Sequence, residues 1–99
     1  MTYGYSGSMK CQAGRRDEVV AILLRGLDVL PAAGCRSYIV SLSDTDADAI
    51  WVHEVWESKE HHAGSLQLPA VRAAIDEAMP MLTGEFTGQE LTVVGGLGA

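Results

Sequence analysis

Basic residues are scarce. Seven Lys and Arg stand against 13 Asp and Glu, a net charge of −6 with His neutral. That shortage disfavours nucleic acid and anionic membranes as partners, since both require a basic face to release counterions or to settle on acidic headgroups. Cysteine is nearly absent as well: Cys11 and Cys35 are too few for a disulfide framework and have neither a neighbouring His nor a CxxC spacing. With no leader-like opening, this points to a reducing, cytoplasmic setting. No window approaches the ~18 uninterrupted apolar residues of a membrane span. No Gly-rich segment stands between a strand and a helix in the phosphate-cradling arrangement, so nucleotide binding has no motif to rest on.

What is present is apolar: 47% of the residues are hydrophobic and only 20% charged, the balance of a chain that folds. Its 99 residues make one domain, with a Gly-rich tail over residues 95–99 expected to be mobile. A chain of this size hides only about 60–70% of its unfolded surface. The apolar excess therefore predicts dimerisation.

Along the chain the hydrophobic period changes several times. Residues 2–12 alternate small or aromatic with polar side chains and predict a first strand, ended by Ala13-Gly14. From Arg15, residues Val19, Val20, Leu23, Leu24, Leu27 and Leu30 fall on one helical stripe, which predicts a helix running to the stop at Pro31 and Gly34. Residues 35–42 and 49–56 read as strands joined by a polar turn. Ser58 is placed to cap a short helix ending near Gly64, Pro69 opens a second helical segment to about Leu82, and residues 86–94 supply a last strand. This order predicts an α+β fold of the ferredoxin-like βαββαβ type, a four-stranded antiparallel sheet with its helices on one face.

The strand over residues 49–56 carries most of the information. One face holds Ile50, Val52, Glu54 and Trp56, and the other holds Trp51, His53 and Val55. Neither face is polar, so helices must cover one side and a further sheet the other. The chain has no strands left for that sheet, and a second copy is expected to provide it through the open face, with His53 as a hydrogen-bonding group there.

The run Val52-His53-Glu54-Val55-Trp56-Glu57-Ser58-Lys59-Glu60-His61-His62-Ala63-Gly64-Ser65, with Gly34-Cys35 opening the second strand, resembles the signature of the antibiotic biosynthesis monooxygenase family over roughly residues 3–94. The resemblance implies a dimeric α+β barrel with a pocket between helices and sheet in each subunit. Some members oxygenate quinols or polycyclic aromatic precursors with neither metal nor flavin, others degrade haem. Carried over by position, Trp56 is the strand-end aromatic, Glu54 its acidic partner and His62 the helix histidine near the pocket. Two features depart from the pattern: the family's Asn four residues before the Trp is Val52 here, and the chain contains no asparagine.

The chemistry of these residues admits more than one reading. A neutral imidazole at His62 suits removal of a phenolic proton near neutral pH, although a histidine on a short polar helix also suits the surface. Trp56 is either a stacking wall or core. Glu54, on an apolar strand, must find a partner, with Arg72 or a backbone amide as candidates. Tyr38 and Val52 are candidate substrate-lining positions. His61 and His62 point about 100° apart and His53 lies on the strand, so no metal site is expected. The leading expectation is a cofactor-independent monooxygenase of a small aromatic substrate, with Glu54, Trp56 and His62 as its catalytic group. The alternatives are a dimer that only binds a small ligand, or a proton-transfer enzyme on the same fold.

Overall fold

Alternation of small, aromatic and apolar side chains sets the strands, and glycine or proline follows the end of two of the three helices. The computed structural model describes residues 2–99. Strand β1 (Tyr3–Cys11) is followed by helix α1 (Arg16–Leu24), strands β2 (Cys35–Leu42) and β3 (Ala49–Trp56), helices α2 (Lys59–Ser65) and α3 (Pro69–Ala78) and strand β4 (Leu82–Thr92). The four strands lie in the order β2-β3-β1-β4, every neighbour antiparallel. This is the ferredoxin-like α+β fold that the sequence predicts.

Register decides what each face carries. Tyr3, Tyr5, Gly7 and Met9 of β1 stand opposite Trp56, Glu54, Val52 and Ile50 of β3, so these residues share the face under the helices. Two apolar clusters lock the layers together. Val19 of α1 packs with Cys11, Ile50 and Val52, while Leu30, with Val71 of α3 against it, packs with Tyr3 and Trp56. On the other face Ile39 and Trp51 are about half exposed, at 53% and 47%. Among the described residues no helix is long and apolar enough to cross a membrane.

The first helix is shorter than its stripe of leucines suggests. It stops at Leu24 because Gly26 adopts a left-handed conformation (φ 77°), and two 3₁₀ turns (Leu27–Val29 and Pro31–Ala33) carry the chain to β2. Past that break Leu27 and Leu30 no longer continue the helical phase. The buried face of α1 is accordingly Val19 and Ile22, with Leu24 exposed. At the other end α3 stops at Ala78, since Pro80 cannot extend it. A 3₁₀ turn (Met79–Met81) leads into β4, which starts at Leu82 rather than at Phe86.

One cross-strand pair has no side chains at all. Gly7 of β1 faces Gly88 of β4, and the ring of Tyr5 lies across both: a Cβ on Gly88 would come within 2.0 Å of the Tyr5 hydroxyl, and one on Gly7 within 2.5 Å of the Thr87 carbonyl oxygen. The second clash is with backbone and cannot be relieved by rotating a side chain. Gly7→Ala should therefore cost about 1–3 kcal/mol, a fall in Tm of roughly 4–8 °C per kcal/mol for a domain of this size. Thermal denaturation followed by circular dichroism checks this, and an unchanged Tm would contradict the crowding.

Candidate functional site

The site forms where β3 ends and α2 begins. The Ser58 hydroxyl oxygen accepts from the His61 backbone N–H at 3.1 Å and lies 2.6 Å from His61 Nδ1, which fixes the first turn of α2. Successive residues on a helix diverge by about 100°. His61 therefore turns outward, its Nε2 3.4 Å from a Glu57 carboxylate oxygen, and His62 turns in, with its side chain only 18% exposed.

Three aromatic rings hold the His62 imidazole. Tyr5 stacks on it (centroids 5.7 Å apart, planes 17° off parallel), Tyr3 is tilted against it at 5.3 Å, and Trp56 meets it edge-on at 5.5 Å. Its Nε2 lies 3.8 Å from Glu54 Oε1, and that same oxygen accepts a 3.0 Å hydrogen bond from the Trp56 indole Nε1–H. Tyr3 in turn donates to Glu90 at 3.4 Å, and Lys59 reaches the same carboxylate.

Burial governs the charges of this group. Loss of solvent pushes the His62 pKa below its ordinary value, opposed by the Glu90 carboxylate, and pushes Glu54 above the usual carboxylate range, opposed by the Trp56 N–H. Both shifts favour neutral forms. At 3.8 Å the two side chains are neighbours without a direct hydrogen bond, and not a strong salt bridge. Burial, and next the charge of Glu54, also raise the Tyr38 pKa, so its phenol keeps its proton and remains a hydrogen-bond donor.

Glu54, Trp56 and His62, together with Tyr38, line one cavity of about 300 Å³ between the sheet and the helices. This is the lower end of the size range of small-molecule sites, roughly 300–1,000 Å³. Most of its remaining wall is apolar, and α3 turns Ala70, Ala74 and Ala78 toward it at intervals of four. Arg25, at the end of α1, is the one Lys or Arg that lines it among the described residues.

Val52 is the exception among the residues singled out from the sequence. It is only 5% exposed and belongs to the cluster of Cys11, Val19 and Ile50, not to the cavity wall. The partner of Glu54 also differs from expectation: it is the indole two residues along the same strand face, not Arg72 or a backbone amide. Period two on a strand brings residues 54 and 56 side by side, a signal already present in their spacing. Tyr3 and Tyr5 have the same spacing on β1, and their register against Trp56 and Glu54 puts them beside the histidine. His53 sits on the opposite face, 3.3 Å from the Ser6 hydroxyl.

Since Val52 is packed among apolar side chains, Val52→Asn should bury an amide without partners and cost roughly 1–3 kcal/mol. Urea denaturation checks this. An Asn variant of unchanged stability would mean that position 52 reaches the cavity after all.

Comparison with known proteins bears on the family and the fold. None of the curated proteins matches the chain. Among solved structures, a Chloroflexus aurantiacus J-10-fl protein provisionally assigned as an antibiotic biosynthesis monooxygenase is 42% identical, with 97% of this chain and 96% of that one covered and a TM-score of 0.87. A Caulobacter crescentus CB15 protein with the same provisional assignment superposes with a TM-score of 0.86 at 21% identity over 95% and 91% of the two chains. Rv0793 from Mycobacterium tuberculosis gives 0.83 at 16% identity over 98% and 99%. The last two show the fold alone. The family model for antibiotic biosynthesis monooxygenase matches residues 4–77, and with the 42% identical relative this shows that the chain belongs to the antibiotic biosynthesis monooxygenase family.

Proposed function

We propose that the protein is a cofactor-independent monooxygenase of a small, planar aromatic substrate that carries an acidic phenol or an activated CH₂. The observation that carries this is His62: an imidazole held by Tyr3, Tyr5 and Trp56 beside Glu54 on the wall of an apolar cavity, with burial favouring its neutral form. His62 takes the substrate proton, Glu54 orients and balances the imidazolium that results, Trp56 and Tyr38 bound the ring, and the apolar wall keeps water from competing.

The resulting anion is electron-rich enough to reduce O₂ itself. For an anthrone, CH₂ + O₂ becomes C=O + H₂O; for a naphthohydroquinone, a ring C–H gains oxygen, the ring ends as a hydroxyquinone and water leaves. In both cases the substrate supplies all the electrons, and the proton held at His62 departs with the water. A second reading, proton transfer without oxygen, draws support from the lack of any Asn or Gln side chain among the described residues lining the cavity. The same His62 and Glu54 would move the proton.

Oxygen uptake by the purified protein, treated with chelator and offered naphthohydroquinones and anthrones, tests the reading. Uptake should exceed autoxidation and fall at least tenfold in His62→Ala, in keeping with the worth of a general base. Only the neutral imidazole is active, so activity should rise with pH. Because the His62 pKa is lowered, the midpoint of kcat/KM should lie below the ordinary histidine value of 6.5. A midpoint above that value, or uptake indifferent to His62, contradicts the role. Substrate turnover without uptake favours proton transfer.

The reading includes a second copy of the chain on the open sheet face, where Ile39 and Trp51 are exposed beside His53 and small polar side chains. Sedimentation equilibrium should give a dimer, and Trp51→Lys should shift it toward monomer. A wild-type monomer at micromolar concentration would overturn this part.

A further inference from the structure

The cavity is polar at two separate places. Glu54 and His62 are sheltered from solvent, whereas Arg25 lines the same cavity with its side chain 61% exposed, so Arg25 belongs to the open side of the cavity. Charged side chains line it nowhere else among the described residues, and most of the remaining wall is apolar. An anion at the sheltered end would give up its hydration with no Lys or Arg beside it, whereas Arg25 on the open side is the one Lys or Arg lining the cavity among the described residues. Arg25 is currently paired with Glu77 of α3. Exposed pairs of this kind contribute little, so exchanging Glu77 for a carboxylate on a ligand costs little, and the planar fork of arginine suits that group.

We infer that Arg25 is a specificity determinant that selects substrates bearing a carboxylate at the end of the ring system remote from the ionising hydroxyl or CH₂. The inference rests on the reading of the cavity as the substrate site and narrows it to aromatic acids. With the carboxylate held on the open side, the ring has one orientation, and its acidic position points inward to His62. Glu77 competes with the substrate for Arg25. Removing either member of the pair therefore acts in opposite directions on recognition, although both changes remove the same ion pair.

Isothermal titration under nitrogen with 5,8-dihydroxy-2-naphthoate, whose carboxylate is on the ring away from the two hydroxyls, and with 1,4-naphthohydroquinone separates these effects. The ratio of the two affinities should favour the carboxylate roughly tenfold in the wild type. It should fall to about one in Arg25→Ala, be partly restored in Arg25→Lys and increase in Glu77→Gln. If Arg25 only fastens α1 to α3, then Arg25→Ala and Glu77→Gln will lower the Tm alike and leave the ratio untouched, which overturns the inference. So does equal affinity for the two ligands in the wild type, or binding of neither. Because binding is read without oxygen, selection for the carboxylate with no oxygen uptake would refute the proposed reaction alone, and uptake without selection would refute the role of Arg25 alone.

Discussion

A carboxylate placed two residues from the end of a strand, under a layer of helices, must be satisfied or lose its charge. Glu54 meets that demand with the indole N–H of Trp56 and the nearby imidazole of His62. The remaining features of the site follow from it. Trp56 is buried against the second core cluster in the orientation that aims its N–H along the strand, and α2 must begin directly after β3 for His62 to return over the sheet. Ser58 secures that start. The result is a pair of titratable groups that the same physical cause, loss of solvent, drives toward neutrality from opposite sides.

This arrangement separates the titratable pair from much of the apolar wall. Glu54 stands on the sheet and His62 on a short helix fixed by its cap, while α1 and α3 supply much of the apolar surface that a ligand would meet. The two tyrosines of β1 stiffen the histidine without contributing charge. The geometry of Tyr5 depends on the bare Gly7–Gly88 pair, which leaves room for its ring to lie along the sheet.

Most of the architecture was readable from periodicity. The alternation in residues 49–56 set Glu54 and Trp56 on one face and Trp51 and His53 on the other, and the structure keeps that division. The first helix was misjudged in length because leucines continue its stripe past Gly26, and a stripe reports composition whereas a left-handed glycine acts on the backbone. At the site, Glu54, Trp56, Tyr38 and His62 do come together on one cavity. Val52 does not, since strand neighbours with a common face divide between cavity and core according to which helix covers them, and no local pattern encodes that. Tyr3 and Tyr5 were visible as an alternating pair. Their meeting with His62 depends on register between strands distant in sequence, and the Arg25–Glu77 contact on the meeting of two helices.

The three alanines of α3 that face the cavity bear on how such a chain can diverge. Ala70, Ala74 and Ala78 are one methyl each, on a helix that carries none of Glu54, Trp56 and His62. Any of them can be enlarged in one mutational step and remove space from one part of the cavity, leaving Glu54, Trp56 and His62 in place. The shape of the chamber can thus vary residue by residue along one helix face while the group at the end of β3 and the start of α2 stays as it is.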